Sequence, residues 1–263
     1  MTDAPVVVDR TAAVAAITLN DPEHRNALTR ATKEALRDAV ADVAGDDEVR
    51  AVVLTGSPTA FCLGQDLGEH AGALGAGSET AFATVRDHYT PIVRDLLTMP
   101  KPVIAAVGGT CVGAGLGLAL ACDHRVFATG VTLGTAFAGI GLTFDTGLSV
   151  TLPGAVGEAR AKELVLFGRT FTAEEAIAWG ISGETADPDD VLPRSIELAR
   201  QLAEGPTTSF AQSKLLIGRA RGLSLDEALE AEALGQIACG STSDHVGAVT
   251  AFLNREAPVF TGR

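Results

Sequence analysis

Apolar positions along this chain follow two alternating rhythms. Residues 6–20, VVVDRTAAVAAITLN, alternate loosely and are rich in β-branched side chains, which predicts two short strands. After the break at DPEHRNAL, its last residue Leu28 and the stretch TRATKEALRDAVADVAGD place Leu28, Ala31, Ala35, Leu36, Ala39, Val40 and Val43 at helical spacing. The β-β-α pattern then recurs. VRAVVLTGS reads as a strand, FCLGQDLGEH as a loop, and Glu79 to Met99 as a helix; Val103 to Val107 is a strand, followed by a glycine loop, a helix from Leu116 to Cys122 and the strand HRVFAT. Residues 72–79, GALGAGSE, read as a mobile loop. Three such passes predict an α/β fold built as a repeated right-handed coil of β-β-α units.

Farther on, GEARAKELVLFG and TAEEAIAWG are helices stopped by glycine, and PDDVLPRSIELARQLAEGP is another. Beyond Gly205-Pro206 the chain reads as helical throughout, in TSFAQSKLLIGRARG, SLDEALEAEALGQIACG and STSDHVGAVTAFLN. This divides the chain into a core over residues 1–205 and a helical C-terminal subdomain over 206–263, which packs on the core or on a neighbouring subunit.

One segment tests the globular reading, because Val103 to Cys122 has no charge across 20 residues and could span a bilayer. Five glycines between Gly108 and Gly117 make a continuous helix costly, and a buried strand, turn and helix explain the same run. No membrane association is expected. A formal net charge of −13 repels phosphate backbones, so nucleic acid is not an expected partner either. Asp3 lies where a secretory signal would be positive, and Cys62, Cys111, Cys122 and Cys239 have no disulfide or metal-ligand spacing. A cytoplasmic protein with reduced thiols and no metal is expected.

The glycine loop itself, CVGAGLGLALACD, is a poor dinucleotide fingerprint: position 118 is Leu where the third glycine belongs, and no acidic residue follows at the required distance. Its glycines instead allow backbone N–H groups to approach a ligand closely.

Ordered motifs from Val6 to Phe260 carry a resemblance: HRNALT, VRAVVLTGSPTAFCLGQDL, MPKPVIAAVGGTCVGAGLGLALACDHRV, GIGLTFDTG, GRTFTAEEAIAWGI and AFLNREAPVF. In these the chain resembles the crotonase, or enoyl-CoA hydratase/isomerase, superfamily. The resemblance implies a crotonase-like spiral fold, a homotrimer or homohexamer, and an acyl-CoA substrate whose coenzyme A is part of the substrate, with no permanently bound cofactor. It further implies an oxyanion hole from the backbone N–H groups of Gln65 and Ala114, aided by the positive end of the helix beginning near Gly115. The CoA end falls to Arg25, Ala27, Leu28, Asp66 and Leu67, with Phe252 and Arg255 as weaker candidates.

The family's hydratases use two glutamates, and the matching positions here are Gly117 and Phe137. The remaining carboxylate is Asp145 in GLTFDTG, which resembles the GLxPDxG context of the family's aspartate-dependent isomerases, ring-1,2-epoxyphenylacetyl-CoA isomerases among them, except that Phe144 replaces Pro. Shifting a double bond needs one base that removes a proton from C2 and returns it at C4. An acyl pocket of Phe137, Leu142 and Phe144 would desolvate Asp145 and raise its pKa. The plain alternative is that Asp145 serves as a turn or cap residue before Thr146-Gly147. Three alternatives stay open: hydration by another acid/base set, with Glu69 as a second acid; a dehalogenase with Asp145 as nucleophile, for which the family's histidine and tryptophan match Thr90 and Phe137; and an acyl-CoA-binding protein without catalysis. His88 and Tyr89 are further candidates for reaching the acyl pocket, whereas Trp179 is expected in the core or an interface.

Overall fold

The computed structural model describes residues 4–263. Strands β1 (Val6–Thr11) and β2 (Val14–Leu19) form a hairpin, antiparallel from Val6↔Leu19 to Thr11↔Val14. Helix α1 (Arg30–Gly45) follows, its N-terminus capped by the Thr29 side chain on the N–H of Thr32. The chain next winds through β3 (Ala51–Thr55), β4 (Ala60–Cys62), α2 (Leu67–Leu74) and α3 (Ser78–Thr84). A π-helical turn over Val85–Tyr89 joins α3 to α4 (Thr90–Thr98). A further turn of the spiral gives β5 (Val103–Val107), β6 (Thr110–Val112) and α5 (Ala114–Ala121), and another gives β7 (His124–Ala128) and β8 (Leu133–Gly134). Helices α6 (Leu148–Val156), α7 (Glu158–Phe167) and α8 (Ala173–Ala178) lead to β9 (Glu184–Ala186) and α9 (Val191–Ala203).

Two sheets result, one ordered β1-β2-β3-β5-β7-β9 and one ordered β4-β6-β8. Three passes, β3 with β4, β5 with β6 and β7 with β8, each lay one strand in the large sheet and one in the small sheet. β9 adds a last strand to the large sheet, and all pairings after the first hairpin are parallel. β3 and β5 are buried at every position, which is why AVVLT and VIAAV read as unbroken apolar runs rather than alternating ones. α9 packs across β2, β3, β5 and β7, and α1 packs on β1, β2 and α4.

The C-terminal region forms α10 (Thr207–Ala220), α11 (Leu225–Gly240) and α12 (Ser243–Asn254). α11 opens on a capping box of Ser224 and Glu227. The final residues return to the body of the molecule. The Arg50 guanidinium donates to Thr207 Oγ1 (2.9 Å), Gly205 O (2.6 Å) and Phe260 O (3.1 Å), while Asp244 accepts the N–H groups of Thr261 and Gly262.

Several local expectations need correction. The stretch 72–79 is not one long loop, since α2 runs to Leu74 and α3 starts at Ser78. The helix expected over Glu79 to Met99 is interrupted by the π turn, and the helix after the glycine loop begins at Ala114 rather than near Gly115 or Leu116. On α1, Ala31 is exposed and the buried stripe instead runs through Lys33, Leu36, Val40 and Val43. No helix among the described residues is long and apolar enough to cross a membrane.

Candidate active site

β4 and β6 lie side by side in the small sheet, with Ala60 opposite Thr110 and Cys62 opposite Cys111. Both strands run in the same direction, so the loops leaving their C-terminal ends emerge together. The first loop carries Gly64 and Gln65 and the second carries Gly113 and Ala114. Gly64 has φ +83° and Gly113 has φ +57°, ψ −128°, backbone shapes that a β-carbon disfavours. A Cβ on Gly64 would sit 3.1 Å from Ala114 N, so the absence of that side chain lets the two loops converge.

The N–H groups of these loops are left facing outward for definite reasons. Leu28 N–H donates to Gly64 O (2.7 Å) and Asp66 N–H donates to Leu28 O (3.3 Å). This bridge engages the groups on either side of Gln65 and turns the Gln65 N–H away from Leu28. The Ala114 N–H lies in the first turn of α5, where helical geometry provides no intrahelical acceptor and the helix dipole adds partial positive charge. Gly115 lets α5 come this close, since a Cβ there would meet Cys62 O at 2.3 Å.

Leu63, Gly64, Gln65, Leu67, Gly113, Ala114, Phe137, Leu142 and Asp145 share the wall of one cavity of about 130 Å³ with His70, Phe82, Tyr89 and Ile140. Among these lining residues Asp145 is the one carboxylate. It reaches the cavity from the segment between a 3-10 turn at Phe137–Ile140 and α6. Desolvation pushes its carboxyl up to about 6 from the ordinary carboxylate range, against the lowering effects of the Thr146 hydroxyl and the Lys33 charge. Thr146 Oγ1 donates to Asp145 Oδ1 at 2.9 Å. Thr146 is buried and holds φ +43°, unusual for a β-branched residue, and Gly147 continues the left-handed turn at φ +73°. Asp145 also borders a second opening with Tyr89, Thr90, Phe144 and Ser149.

Gly117 has a sharper meaning than an unoccupied glutamate position. A Cβ at 117 would lie 1.9 Å from Thr146 Oγ1 and 2.5 Å from Thr146 Cβ. The path a side chain would take from α5 is filled by the residue that hydrogen-bonds Asp145. Phe137 is buried and meets Phe144 edge-on at 6.2 Å, so Phe144 supports the cavity wall rather than lining the cavity itself.

The remaining expected residues are distributed around this centre. Leu28 is buried in the core, and with its N–H and C=O engaged it clamps the Gln65 loop instead of presenting a surface to a ligand. Arg25 is exposed and donates to Thr110 Oγ1 at 3.2 Å, with Ala27 half-buried beside it. The Asp66 carboxylate caps α2 on the Glu69 N–H (2.7 Å), and Leu67 is half exposed at the cavity edge. Glu69 is occupied elsewhere, accepting from Arg30 N–H at 2.7 Å. His88 turns from the cavity toward Thr84 Oγ1 (3.0 Å) and Glu34, whereas Tyr89 reaches the cavity. Phe252 is exposed on α12 and Arg255 ends that helix at φ +61°. Trp179 packs on Phe171 between the guanidinium groups of Arg160 (4.8 Å) and Arg169 (4.9 Å).

Lys33 had no place in the sequence-based site, yet it is 3% exposed and its Nζ donates to Gln65 Oε1 at 3.0 Å. Its signal was present in the sequence: position 33 is in helical register with Leu36, Val40 and Val43. Cys62 lies beneath the loops, with its thiol pushed up to about 12 by burial, which removes it as a nucleophile. Among the described residues no cluster of His, Cys, Asp or Glu is arranged to hold a metal ion.

Comparisons with known proteins identify the family. The profile described as "Enoyl-CoA hydratase/isomerase" matches residues 9–263. The chain is 36% identical over 251 residues to 1,2-epoxyphenylacetyl-CoA isomerase of Escherichia coli (strain K12), covering 95% of both chains. It is 35% identical over 205 residues to 4-chlorobenzoyl coenzyme A dehalogenase-2 of an Arthrobacter species, covering 78% of this chain and 74% of that one. Among solved structures, an enoyl-CoA hydratase from Bacillus anthracis superposes with a TM-score of 0.90 at 29% identity, over 98% of this chain and all of that one. The relatives divide among reactions but share one acyl-CoA scaffold, and with a match over nearly its whole length this chain belongs to the enoyl-CoA hydratase/isomerase family.

Proposed function

We propose that this enzyme isomerises enoyl-CoA thioesters, moving a double bond from C3=C4 to C2=C3. The thioester oxygen accepts hydrogen bonds from Gln65 N–H and Ala114 N–H. Asp145 removes a C2 proton, the electron pair delocalises onto the thioester oxygen as a dienolate, and the same carboxyl returns the proton at C4. The observation that carries this reading is a single, desolvated carboxylate on the cavity wall shared with the two outward-facing N–H loops. One acid/base group is enough for a shift that begins and ends with the same proton. Each N–H donor to a developing oxyanion is worth about 3–4 kcal/mol of transition-state stabilisation.

Several features argue against the other reactions. Two-glutamate hydration meets Phe137 at one position and the Gly117–Thr146 contact at the other. For dehalogenation, Thr90 supplies no imidazole, and its hydroxyl donates to Val85 O at 2.8 Å. On the same reading Arg25, Ala27 and the backbone of Asp66 and Leu67 hold the nucleotide end of CoA. Residues 1–205 form the acyl-CoA-binding core, and residues 206–263 cover the site and join subunits in a homotrimer or homohexamer.

The test is to supply a 3-enoyl-CoA and a 2-enoyl-CoA separately. Conversion of the former that disappears in Asp145→Asn is the expected result. Efficient hydration of the latter with Asp145→Asn unaffected would sink the proposal, and binding without either reaction would make the chain a carrier of acyl-CoA.

A further inference from the structure

We propose that Lys33 and Tyr89 form a buried brace on the Gln65 side chain, and that Lys33 acts as an electrostatic positioning residue, fixing the Gln65 donor loop and placing a positive charge behind the oxygen-binding cavity. This inference rests on the isomerase reading for its kinetic consequences but not for its geometry.

Gln65 Oε1 accepts two hydrogen bonds, from Lys33 Nζ at 3.0 Å and from Tyr89 OH at 2.5 Å. The Lys33 ammonium also lies 5.6 Å from the centre of the Tyr89 ring, a cation–π contact. Three separate elements therefore meet at one amide: α1 supplies Lys33, the π turn supplies Tyr89, and the loop after β4 supplies Gln65. The π turn matters here, since the extra residue it inserts directs His88 toward α1 and Tyr89 toward the cavity.

Helix packing gives no reason for an ammonium at position 33. The site belongs to the buried stripe of α1, where an aliphatic side chain would pack without the cost of burying a charge. Burial lowers the Lys33 pKa, while the carboxylates of Asp66, Glu69 and Asp145 favour its charge and Arg30 opposes it. Asp66 and Glu69 are committed to helix N-termini. Facing Asp145 in turn are Lys33 from α1, Tyr89 from the π turn, Cys62 from β4, His70 from α2 and Thr146 from its own loop. Lys33 is the one lysine or arginine in that group. Its charge favours the ionised, base-competent form of Asp145, and the dienolate would develop close to the same field.

The experiment compares wild type with Lys33→Met and Tyr89→Phe. Met preserves length and apolar packing at 33, and Phe removes only the hydroxyl at 89. In Lys33→Met we expect kcat for a 3-enoyl-CoA to fall by about tenfold or more with KM little changed, because positioning and not affinity is lost. The pH midpoint for the ionisation of Asp145 should move upward by about half a unit or more. Tyr89→Phe should lower kcat without moving that midpoint. A second readout needs no turnover: the Asp145 carboxyl carbon, followed by 13C NMR titration of the resting protein, should show the same upward shift in Lys33→Met only. An NMR midpoint unchanged by Lys33→Met overturns the electrostatic role even in a protein that fails to isomerise any substrate. An upward NMR shift in Lys33→Met, with a wild-type protein that does not isomerise, would leave the brace standing and remove the isomerase reading alone.

Discussion

As the proposed base, Asp145 joins two opposed demands at a single residue. A base works best near the operating pH, and burial has brought this carboxyl to about 6. Isomerase activity should therefore rise with pH through about 6 and level off above it, whereas a carboxyl with an ordinary pKa would already be fully active at pH 5. Asp145→Asn should cost about 10²- to 10⁴-fold in kcat, read in the same 3-enoyl-CoA assay. Stability runs the other way. The folded pKa lies above the unfolded one, so the carboxyl's favourable contribution is present at low pH and is lost as pH rises from about 4 through 6. Above that window the wild-type fold must hold a desolvated carboxylate. Asp145→Asn should then raise the stability at pH 8 by about 1–2 kcal/mol, allowing for water that reaches the carboxyl through the cavity, and leave it nearly unchanged at pH 4. Urea denaturation at the two pH values checks the sign. GLTFDTG was enough to single out Asp145 as a candidate, and the structure places it on the cavity wall. Its neighbour could not be read there, since Thr146 acts through a left-handed backbone that no side-chain pattern announces. Thr146→Gly should relieve about 1 kcal/mol of strain while moving the activity midpoint upward, because the hydroxyl that favours the ionised carboxyl is gone. An unmoved midpoint in the pH–rate profile would show that this hydrogen bond is idle.

The N-terminus of α5 is where a helix must come within contact of a neighbouring strand. Gly115→Ala places a methyl group 2.3 Å from Cys62 O, and backbone there cannot yield as a flexible side chain could. Overpacking of this kind should cost about 1–3 kcal/mol in chemical denaturation and displace the Ala114 N–H, lowering kcat by about 10² or more. Gly72→Ala in α2 is the control, because nothing lies within 4 Å and the helix should gain up to about 1 kcal/mol. A similar argument explains why a glutamate cannot simply be restored at position 117. Gly117→Glu is expected to disturb the Thr146 turn and abolish isomerisation without producing a hydratase, which assays on both enoyl-CoA classes would detect. The elements themselves were legible where they are long and periodic, as in α1, α9 and the hairpin of β1 and β2. β8, at two residues, and β9, at three, are too short to leave a pattern, and they owe their existence to the parallel neighbours β6 and β7. The π turn was hidden because its residues keep a nearly helical spacing. Lys33 is missed for a different reason: although its register with Leu36, Val40 and Val43 is visible, a lysine on an amphipathic helix reads as solvent-facing until the packing of three elements is seen to bury it.

For the whole molecule, charge and exposed apolar surface set the remaining expectations. A polyanionic CoA approaches a chain with a net charge of −13, so screening should help binding more than it harms the proposed contact with exposed Arg25. KM for an enoyl-CoA should fall as salt rises from about 20 to 150 mM, with kcat steady, and Arg25→Ala should raise KM a few-fold; steady-state kinetics across the salt series reads both. The C-terminal helices pose a stronger problem of burial. Within one chain α11 buries only Gly235 and α12 only Asp244. Leu225, Ile237, Val246, Phe252 and Leu253 are each more than 60% exposed. Helices with so little apolar contact do not hold their shape by propensity alone, and a chain that displays this much apolar surface is expected to cover it. A second copy is the available cover, in line with the trimer or hexamer proposed above. Sedimentation equilibrium should give a multiple of the 26.9 kDa chain mass. Ile237→Glu combined with Phe252→Glu should lower that multiple and reduce the melting temperature, and, on the proposal that residues 206–263 cover the site, weaken CoA binding as well. A wild-type protein that sediments as a monomer at micromolar concentration, with α11 and α12 protected from proteolysis, would refute this, and the cover would have to be sought within the chain.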